Sequence, residues 1–157
     1  MVTLARTSTF RHTTIRIETE HPTQFIDLTD ELDALVKDTG VHTGLVNIQG
    51  LRTTTAVFVN EHDPLLLSDM AGLLERIAPH DGIYRHDNIS LRSANCVIAE
   101  RPNGHSHCRA LLLAPSVSLN IADGRLQLGT WQRVFLAELD GPRIRNVSIA
   151  VIGDTEP

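Results

Sequence analysis

The chain has 157 residues, of which 41% are hydrophobic and 21% are charged, and its formal net charge is -5. This length suits one domain spanning residues 1–157 with a buried core, and the composition disfavours intrinsic disorder. The negative charge disfavours nucleic acid as a partner, because binding the phosphate backbone needs a basic surface.

The first third of the chain predicts three strands and one helix. Residues 10–17 alternate in character and are rich in β-branched side chains, which is typical of a strand. A helical apolar face begins at Leu28, and Gly40 is a suitable residue to end it. Residues 41–49 and 54–60 predict two further strands, separated by a polar corner.

A second helix is predicted from Asp63, a candidate N-cap, followed by Pro64 at the first helical position. Its expected buried stripe consists of Leu66, Met70, Leu73, Leu74 and Ile77. Pro79 ends this helix. Residues 80–107 then form a long polar segment of little periodicity, and loops of such length are usually functional or disordered.

The C-terminal part predicts a short helix at 108–114 and then four strands. The strand candidates are residues 115–121, 125–128, 132–139 and 145–152. The turn dipeptides Asp123-Gly124 and Asp140-Gly141 lie between them, so an antiparallel meander is expected. Strands, two main helices and further strands together predict an α+β fold in a single compact domain.

The sequence predicts a cytoplasmic protein that does not enter a membrane. No apolar run approaches the roughly 18 residues of a membrane helix. Residues 1–16 contain no apolar segment typical of a signal peptide. Cys96 and Cys108 form no CxxC motif, and a structural or incidental role is expected for both.

Histidines concentrate in the second third of the chain. Five of the eight lie between residues 62 and 107: His62, His80, His86, His105 and His107. His105 and His107 would share one side of an extended segment and suit a metal, whereas in a helix they would diverge. Exposed loop histidines without a ligand are the alternative explanation.

Arginines form a second cluster of candidate site residues, in and beside the long polar segment and at the polar corner. The segment carries Arg85, Arg92 and Arg101, Arg109 follows directly after it, and Arg52 precedes three threonines at the corner. A guanidinium with neighbouring hydroxyls suits a phosphate or carboxylate, although a solvated arginine would give the same pattern. Trp131, the only tryptophan, is expected to anchor a core or a subunit interface.

An ordered set of fragments resembles a known family. The fragments are Gly44-Leu45-Val46, Thr53-Thr54-x-Ala56, Asn60-Glu61, Tyr84-x-His86, Asn103-x-x-x-His107, Pro115-Ser116-Val117, Asp123-Gly124-Arg125-Leu126, Leu128-Gly129-Thr130-Trp131-Gln132 and Asp140-Gly141-Pro142-Arg143. From about Phe10 to Gly153 the chain resembles the YjbQ-like family, whose members are often labelled secondary thiamine-phosphate synthase. The run through Trp131 and Gln132 is the most specific fragment.

The resemblance implies a curved, mixed or mostly antiparallel sheet and a homotrimer with polar pockets between subunits. It places these residues at the pocket: Glu61, His86, His107, Ser116 and Gln132, with Trp131 packed beside them. Glu61, His86 and His107 are the expected catalytic residues. Further expected substrate-binding residues are Arg52, Thr53, Thr54 and Arg109.

One position departs from the family pattern. Where the family has a histidine before the paired threonines, this sequence has Arg52, which keeps its proton and cannot ligate a metal. The implied divalent metal, zinc or magnesium, would then be lost or be held by His86, His107 and His105. We expect Arg52 to recruit a small anionic or phosphorylated ligand instead.

Three functions follow as hypotheses. The leading one is a thiamine-phosphate-synthase-type transferase, in which positive groups stabilise a departing diphosphate. The first alternative is a non-catalytic trimeric binding protein for a small anionic metabolite. The second is a metal-assisted hydrolase, which requires a metal with an open coordination position.

Overall fold

The computed structural model describes residues 7–95 and 101–155. Its eight strands are β1 (Thr7–Glu18), β2 (Gln24–Asp27), β3 (Thr43–Gly50), β4 (Thr55–Glu61), β5 (Ser116–Ala122), β6 (Arg125–Leu126), β7 (Gln132–Glu138) and β8 (Ile144–Thr155). Its three helices are α1 (Thr29–Thr39), α2 (Pro64–Ile77) and α3 (Gly104–Leu111), with two 3-10 turns at Arg85–Asp87 and Ile89–Leu91. Cys96 lies outside the described residues.

Two antiparallel sheets organise the strands. Five strands form one sheet in the order β1-β8-β3-β5-β6, and three form the other in the order β2-β7-β4. The predicted α+β class, with mostly antiparallel pairing, is therefore confirmed. The described residues form three α-helices: the two main helices that were predicted, α1 and α2, and the shorter α3.

Strand β7 lies in the middle of the packing and is buried on both faces. Its Val134 and Leu136 join α1 and the five-stranded sheet in the larger core. Its Ala137, with Leu139 beyond the strand, joins Leu74 of α2 in a second core. A strand buried on two sides loses the alternating polar pattern, which explains its continuous apolar run.

The predicted antiparallel meander at the C-terminus is wrong, because its strands are divided between the two sheets. Strand β7 pairs with β2 and β4, whereas β8 pairs with β1 and β3. The Asp140-Gly141 dipeptide therefore connects two sheets and does not close a hairpin. The Asp123-Gly124 turn is confirmed, since both residues have positive φ angles, 52° and 72°, between the paired strands β5 and β6.

Helix α1 ends at Gly40, whose φ of 71° is the expected left-handed cap. Helix α2 begins as predicted, with Asp63 accepting a hydrogen bond from the amide of Leu66 at 2.8 Å. Its expected apolar stripe is confirmed in part, because Leu74 is buried and Leu66 and Met70 are partly buried. Leu73 and Ile77 are about half exposed, at 47% and 54%.

Helix α3 replaces the helix predicted at 108–114 and begins four residues earlier. Its Asn103 cap position makes no side-chain capping bond. Instead, Asp87 accepts from the amides of Asn103 and Gly104 at 2.9 and 2.8 Å. The capping carboxylate comes from a distant turn, so no local motif marks this helix start.

Candidate functional site: an arginine-rich cleft

A cleft of about 1190 Å³ opens beside the connection between the two sheets. Four segments form it: the β3–β4 corner, the turns after α2, the start of α3 and the β7–β8 connection. Its described lining residues are Arg52, Thr53, Thr54, His86, Leu91, Arg92, Ser93, Ala94, Asn95, Arg101, Asn103, His107, Asp140, Pro142, Arg143, Ile144 and Arg145.

The cleft carries an excess of positive charge. Five of its described lining residues are arginines, whereas Asp140 is the one carboxylate among them. Asp140 is shared, since its Oδ2 lies 3.1 Å from Arg143 and its Oδ1 lies 3.7 Å from Arg101. A second carboxylate, that of the buried Glu138, pairs with Arg145 behind the lining. Two carboxylates do not match five arginines, so the described lining suits an anion.

Arg52 is exposed at the cleft mouth on the β3–β4 corner. Within the described chain its guanidinium makes no hydrogen bond or ion pair, although its carbonyl accepts from Thr55. Thr53 is exposed beside it, and the buried hydroxyl of Thr54 accepts from Arg145 at 3.4 Å. The arginine and the threonines predicted to bind substrate therefore do line one cleft, with Arg52 available to a ligand.

His86 and His107 meet on the opposite wall. Their ring centroids lie 4.6 Å apart in an edge-to-face arrangement. The bonds from Asp87 to the start of α3 hold the turn carrying His86 against the helix carrying His107. Nε2 of His86 is buried and has no hydrogen-bond partner in the described chain. Both residues line the cleft, so two imidazole rings lie where a ligand would bind.

The comparison with known families agrees with the resemblance. The model of the UPF0047 protein YjbQ-like family matches residues 13–154, which is most of the chain. This chain belongs to the YjbQ-like family.

Several YjbQ-like relatives share its length as well as its sequence. A UPF0047 protein from Methanothermobacter thermautotrophicus is 35% identical over 87% of this chain and 88% of its own length. The UPF0047 protein YugU of Bacillus subtilis is 29% identical over 89% of this chain and 98% of its own. Their names state no activity.

Solved YjbQ-like structures have the same fold. A YbjQ-like protein of unknown function from Sulfolobus solfataricus superposes with a TM-score of 0.82 at 26% identity, over 94% of this chain and 99% of its own. A hypothetical protein from Aeropyrum pernix gives 0.80 at 29% identity, over 91% and 98%.

The described residues of this YjbQ-like chain do not by themselves fit a metal. Within residues 7–95 and 101–155, no three His, Cys, Asp or Glu side chains form a group that could hold an ion. His86 and His107 supply two donors, and a zinc site needs at least three from protein. The arginine charges around them further disfavour a cation.

His105 lies apart from the other two histidines. Because residues 104–111 are helical, it points away from His107, and it is 4% exposed with its ring 4.6 Å from His80. Burial lowers the pKa of His105, and the nearby Arg109 charge adds to this effect. The expected set of His86, His107 and His105 is therefore not assembled.

Arg109 also lies on the buried side of α3, outside the described cleft lining. It is 2% exposed, and its guanidinium donates to the carbonyl of Ala78, the hydroxyl of Thr23 and the carboxylate of Glu75. In one chain Arg109 thus joins α3 to α2, and the described cleft lining does not include this residue that was expected to bind substrate.

Glu61, Gln132 and Trp131 lie at the other end of the β4–β7 strand pair. Glu61 ends β4 directly opposite Gln132, which begins β7. Strand β4 separates Glu61 from the cleft by about 20 Å at roughly 3.3 Å per residue. Trp131 is 71% exposed, and Ser116 begins β5 outside the described cleft lining. One chain therefore does not bring Glu61, Ser116, Trp131 or Gln132 to the cleft.

Sequence reasoning missed six polar residues of the described cleft lining: Ser93, Asn95, Asn103, Asp140, Arg143 and Arg145. Asp140 and Arg143 belong to a fragment that marked the family, which was a signal for their importance. Arg145 follows in the next strand, and only the packing of two sheets shows that this strand begins at a cleft.

No helix in the described part of the chain combines the length and apolar character needed to cross a membrane. Cys108 is exposed with a free thiol.

Proposed function

We propose that this protein binds a small phosphorylated metabolite in the arginine-rich cleft and acts as a thiamine-phosphate-synthase-type transferase. The observation that supports it is the excess of five lining arginines over two carboxylates, Asp140 in the described lining and Glu138 paired with Arg145 behind it. A cleft of about 1190 Å³ is on the scale of a small-molecule site.

The reaction requires a pyrimidine carrying diphosphate and a thiazole phosphate. The thiazole nitrogen forms a bond to the pyrimidine methylene carbon while the carbon–oxygen bond to diphosphate breaks, and diphosphate leaves with the electron pair. Arginines around the departing oxygens lower the energy of the developing charge. His86 and His107 are the groups proposed to exchange protons with the leaving group.

The proposal includes a homotrimer with the cleft between subunits. The separation of Glu61, Trp131 and Gln132 from the cleft supports it, because a neighbouring copy would be needed to bring them there. A head-to-tail contact of this kind closes into a ring. Sedimentation velocity on the wild type and on Trp131→Ala tests it. A trimer that Trp131→Ala dissociates is expected, and a wild-type monomer contradicts it.

Thiamine phosphate formation tests the transferase directly. Purified protein is expected to release diphosphate from the two substrates, and His107→Ala is expected to reduce the rate at least a hundredfold. His12→Ala is the matched control, since His12 lies on β1 outside the described cleft lining. Equal rates for the wild type and His107→Ala contradict the proposed proton exchange.

A non-catalytic trimeric binding protein for a small anionic metabolite is the second candidate. The excess of arginines in the described cleft lining favours it as well, because binding an anion needs no catalytic carboxylate. Calorimetric titration with inorganic phosphate and diphosphate, run alongside the rate assay, separates the two. Tight binding without product formation supports this candidate and contradicts the transferase.

The metal-assisted hydrolase rests on a bound zinc or magnesium ion. Elemental analysis of the purified protein tests it, with His107→Ala as the comparison. One metal equivalent per subunit that disappears in His107→Ala would support the hydrolase and overturn the metal-free reaction.

A further inference from the structure

Arg145 and Glu138 form a buried ion pair at the floor of the cleft. Glu138 is 0% exposed and Arg145 is 3% exposed. Arg145 donates from Nε and Nη2 to the two carboxylate oxygens at 2.5 and 2.6 Å. The carboxylate also accepts from the Thr19 hydroxyl at 3.1 Å and the Asp140 amide at 2.7 Å. Glu138 is thus fully engaged.

Stability alone is a weak explanation for this pair. Removing two charges from water costs several kcal/mol per ion, and apolar side chains of similar volume often replace such pairs without loss. The pair joins the end of β7 to the start of β8, at the point where the two sheets separate. Its position beside the cleft indicates a second role.

The geometry leaves one side of the arginine for a ligand. Glu138 takes Nε and Nη2, and Thr54 accepts from Nη2 at 3.4 Å. Nη1 makes no hydrogen bond in the described chain, and Arg145 is a lining residue of the cleft. A guanidinium held on one side by a carboxylate presents its remaining donors in a fixed direction.

We infer that Arg145 is an anion-binding residue at the cleft floor and that Glu138 positions it. This inference rests on the proposed anionic ligand. Arg52, whose guanidinium has no partner in the described chain, adapts to the ligand, whereas Arg145 offers a fixed donor. The fixed donor sets the depth and orientation of a phosphate group before it binds.

Calorimetric titration with inorganic phosphate tests the role of Arg145. The double variant Glu138→Leu/Arg145→Met removes both charges together and is expected to fold, with at least a tenfold rise in the phosphate Kd. Arg133→Met is the matched control, because Arg133 also pairs with a carboxylate but lies outside the described cleft lining. Its phosphate Kd is expected to stay within twofold of the wild type.

The role of Glu138 needs a conservative pair. Glu138→Gln is expected to raise the phosphate Kd at least tenfold, and Glu138→Asp is expected to restore much of the affinity because it keeps the charge. Equal affinities for these two variants and the wild type would overturn the positioning role.

The outcomes are distinguishable from failure of the proposed function. A folded double variant with wild-type affinity overturns the anion-binding role of Arg145 and leaves the proposed function standing. A wild type that binds neither phosphate nor diphosphate overturns both that role and the proposed function. If the variants do not fold, nitrogen-15 spectra of the wild-type arginine side chains replace them. The Arg145 signals are expected to shift on phosphate addition, and unchanged Arg145 signals alongside other shifting arginines would overturn the inference.

Discussion

Arg52 and Arg133 lie at opposite ends of the β4–β7 strand pair, and their surroundings differ. Arg133 donates to Asp27 at 2.8 Å and to Asp30 at 3.0 Å, so two carboxylates compensate its charge. Arg52 has no such partner in the described chain and faces a cleft with four further arginines. The same residue type therefore supports structure at one end and is available to a ligand at the other.

Replacing Arg109 is expected to give the largest effect, a loss of folding stability. Arg109 lies close to the cleft, but its donors are used within the chain as those of Arg133 are. Arg109→Met leaves the carbonyl of the buried Ala78 without its donor and removes the ion pair of a buried guanidinium with Glu75. We therefore expect the free energy of unfolding to fall by about 3 kcal/mol. Urea denaturation measures this loss.

Arg101→Met is the control for Arg109, because the side chain of Arg101 is 52% exposed and its loss should change the free energy of unfolding by less than about 0.5 kcal/mol. Phosphate affinity should survive in folded Arg109→Met. A tenfold weaker phosphate affinity at unchanged stability would instead support the substrate-binding role that the sequence suggested.

The second largest expected effect is the pH dependence of stability that comes from Asp27, the partner of Arg133. Burial raises the pKa of Asp27, but hydrogen bonds from Thr29, Arg133 and His62 outweigh burial and lower the pKa to about 2. Because the folded pKa lies below the unfolded one, the stabilisation is complete above about pH 5. It is lost as the pH falls through about 2, and amounts to about 2 kcal/mol.

Denaturation of the wild type and Asp27→Asn between about pH 5 and pH 2 measures this contribution. The variant should lose less stability on acidification. Asp30→Asn is the control, since the side chain of Asp30 is 82% exposed. Parallel pH curves for the wild type and Asp27→Asn would show that Asp27 is not the group responsible.

Arg52→Met and Arg133→Met test the comparison itself. Loss of one charge-assisted hydrogen bond to the ligand should cost Arg52→Met about 1.5 kcal/mol, or roughly tenfold in phosphate Kd. Arg133→Met should leave the Kd unchanged and lower the thermal midpoint instead. The reverse result would mean that ligand binding occurs at the Glu61–Trp131 end.

The sequence predicted local structure well where one segment carries its own signal. The positive φ of Gly40, the cap of Asp63 and the Asp123-Gly124 turn are all confirmed. It failed where the partner is distant in the chain. Asp87 caps α3 from 16 residues earlier, and the pairing of β7 with β2 depends on burial from two sides.

The candidate site was predictable to a similar degree. Residue types and family fragments singled out Arg52, His86 and His107, which the fold brings to one cleft. They carried no distances, so Arg109 and Glu61 were grouped with them although one is buried and the other lies at the far strand end. Arg145 needed the structure, because strand alternation alone marks it as a core position.

Replacing Asp63, the N-cap of α2, is expected to give the smallest loss of folding stability. It also tests whether a change at the start of α2 affects ligand binding. The Asp63 carboxylate accepts from the amide of Leu66 at the start of α2, next to Glu61 and remote from the cleft. Asp63→Ala should lower the free energy of unfolding by about 1 kcal/mol, whereas Asp63→Ser, which can still cap, should retain most of it. Phosphate affinity should match the wild type in both variants. Reduced affinity at unchanged stability would mean that the start of α2 communicates with the ligand, and the two ends of the strand pair would then no longer be independent.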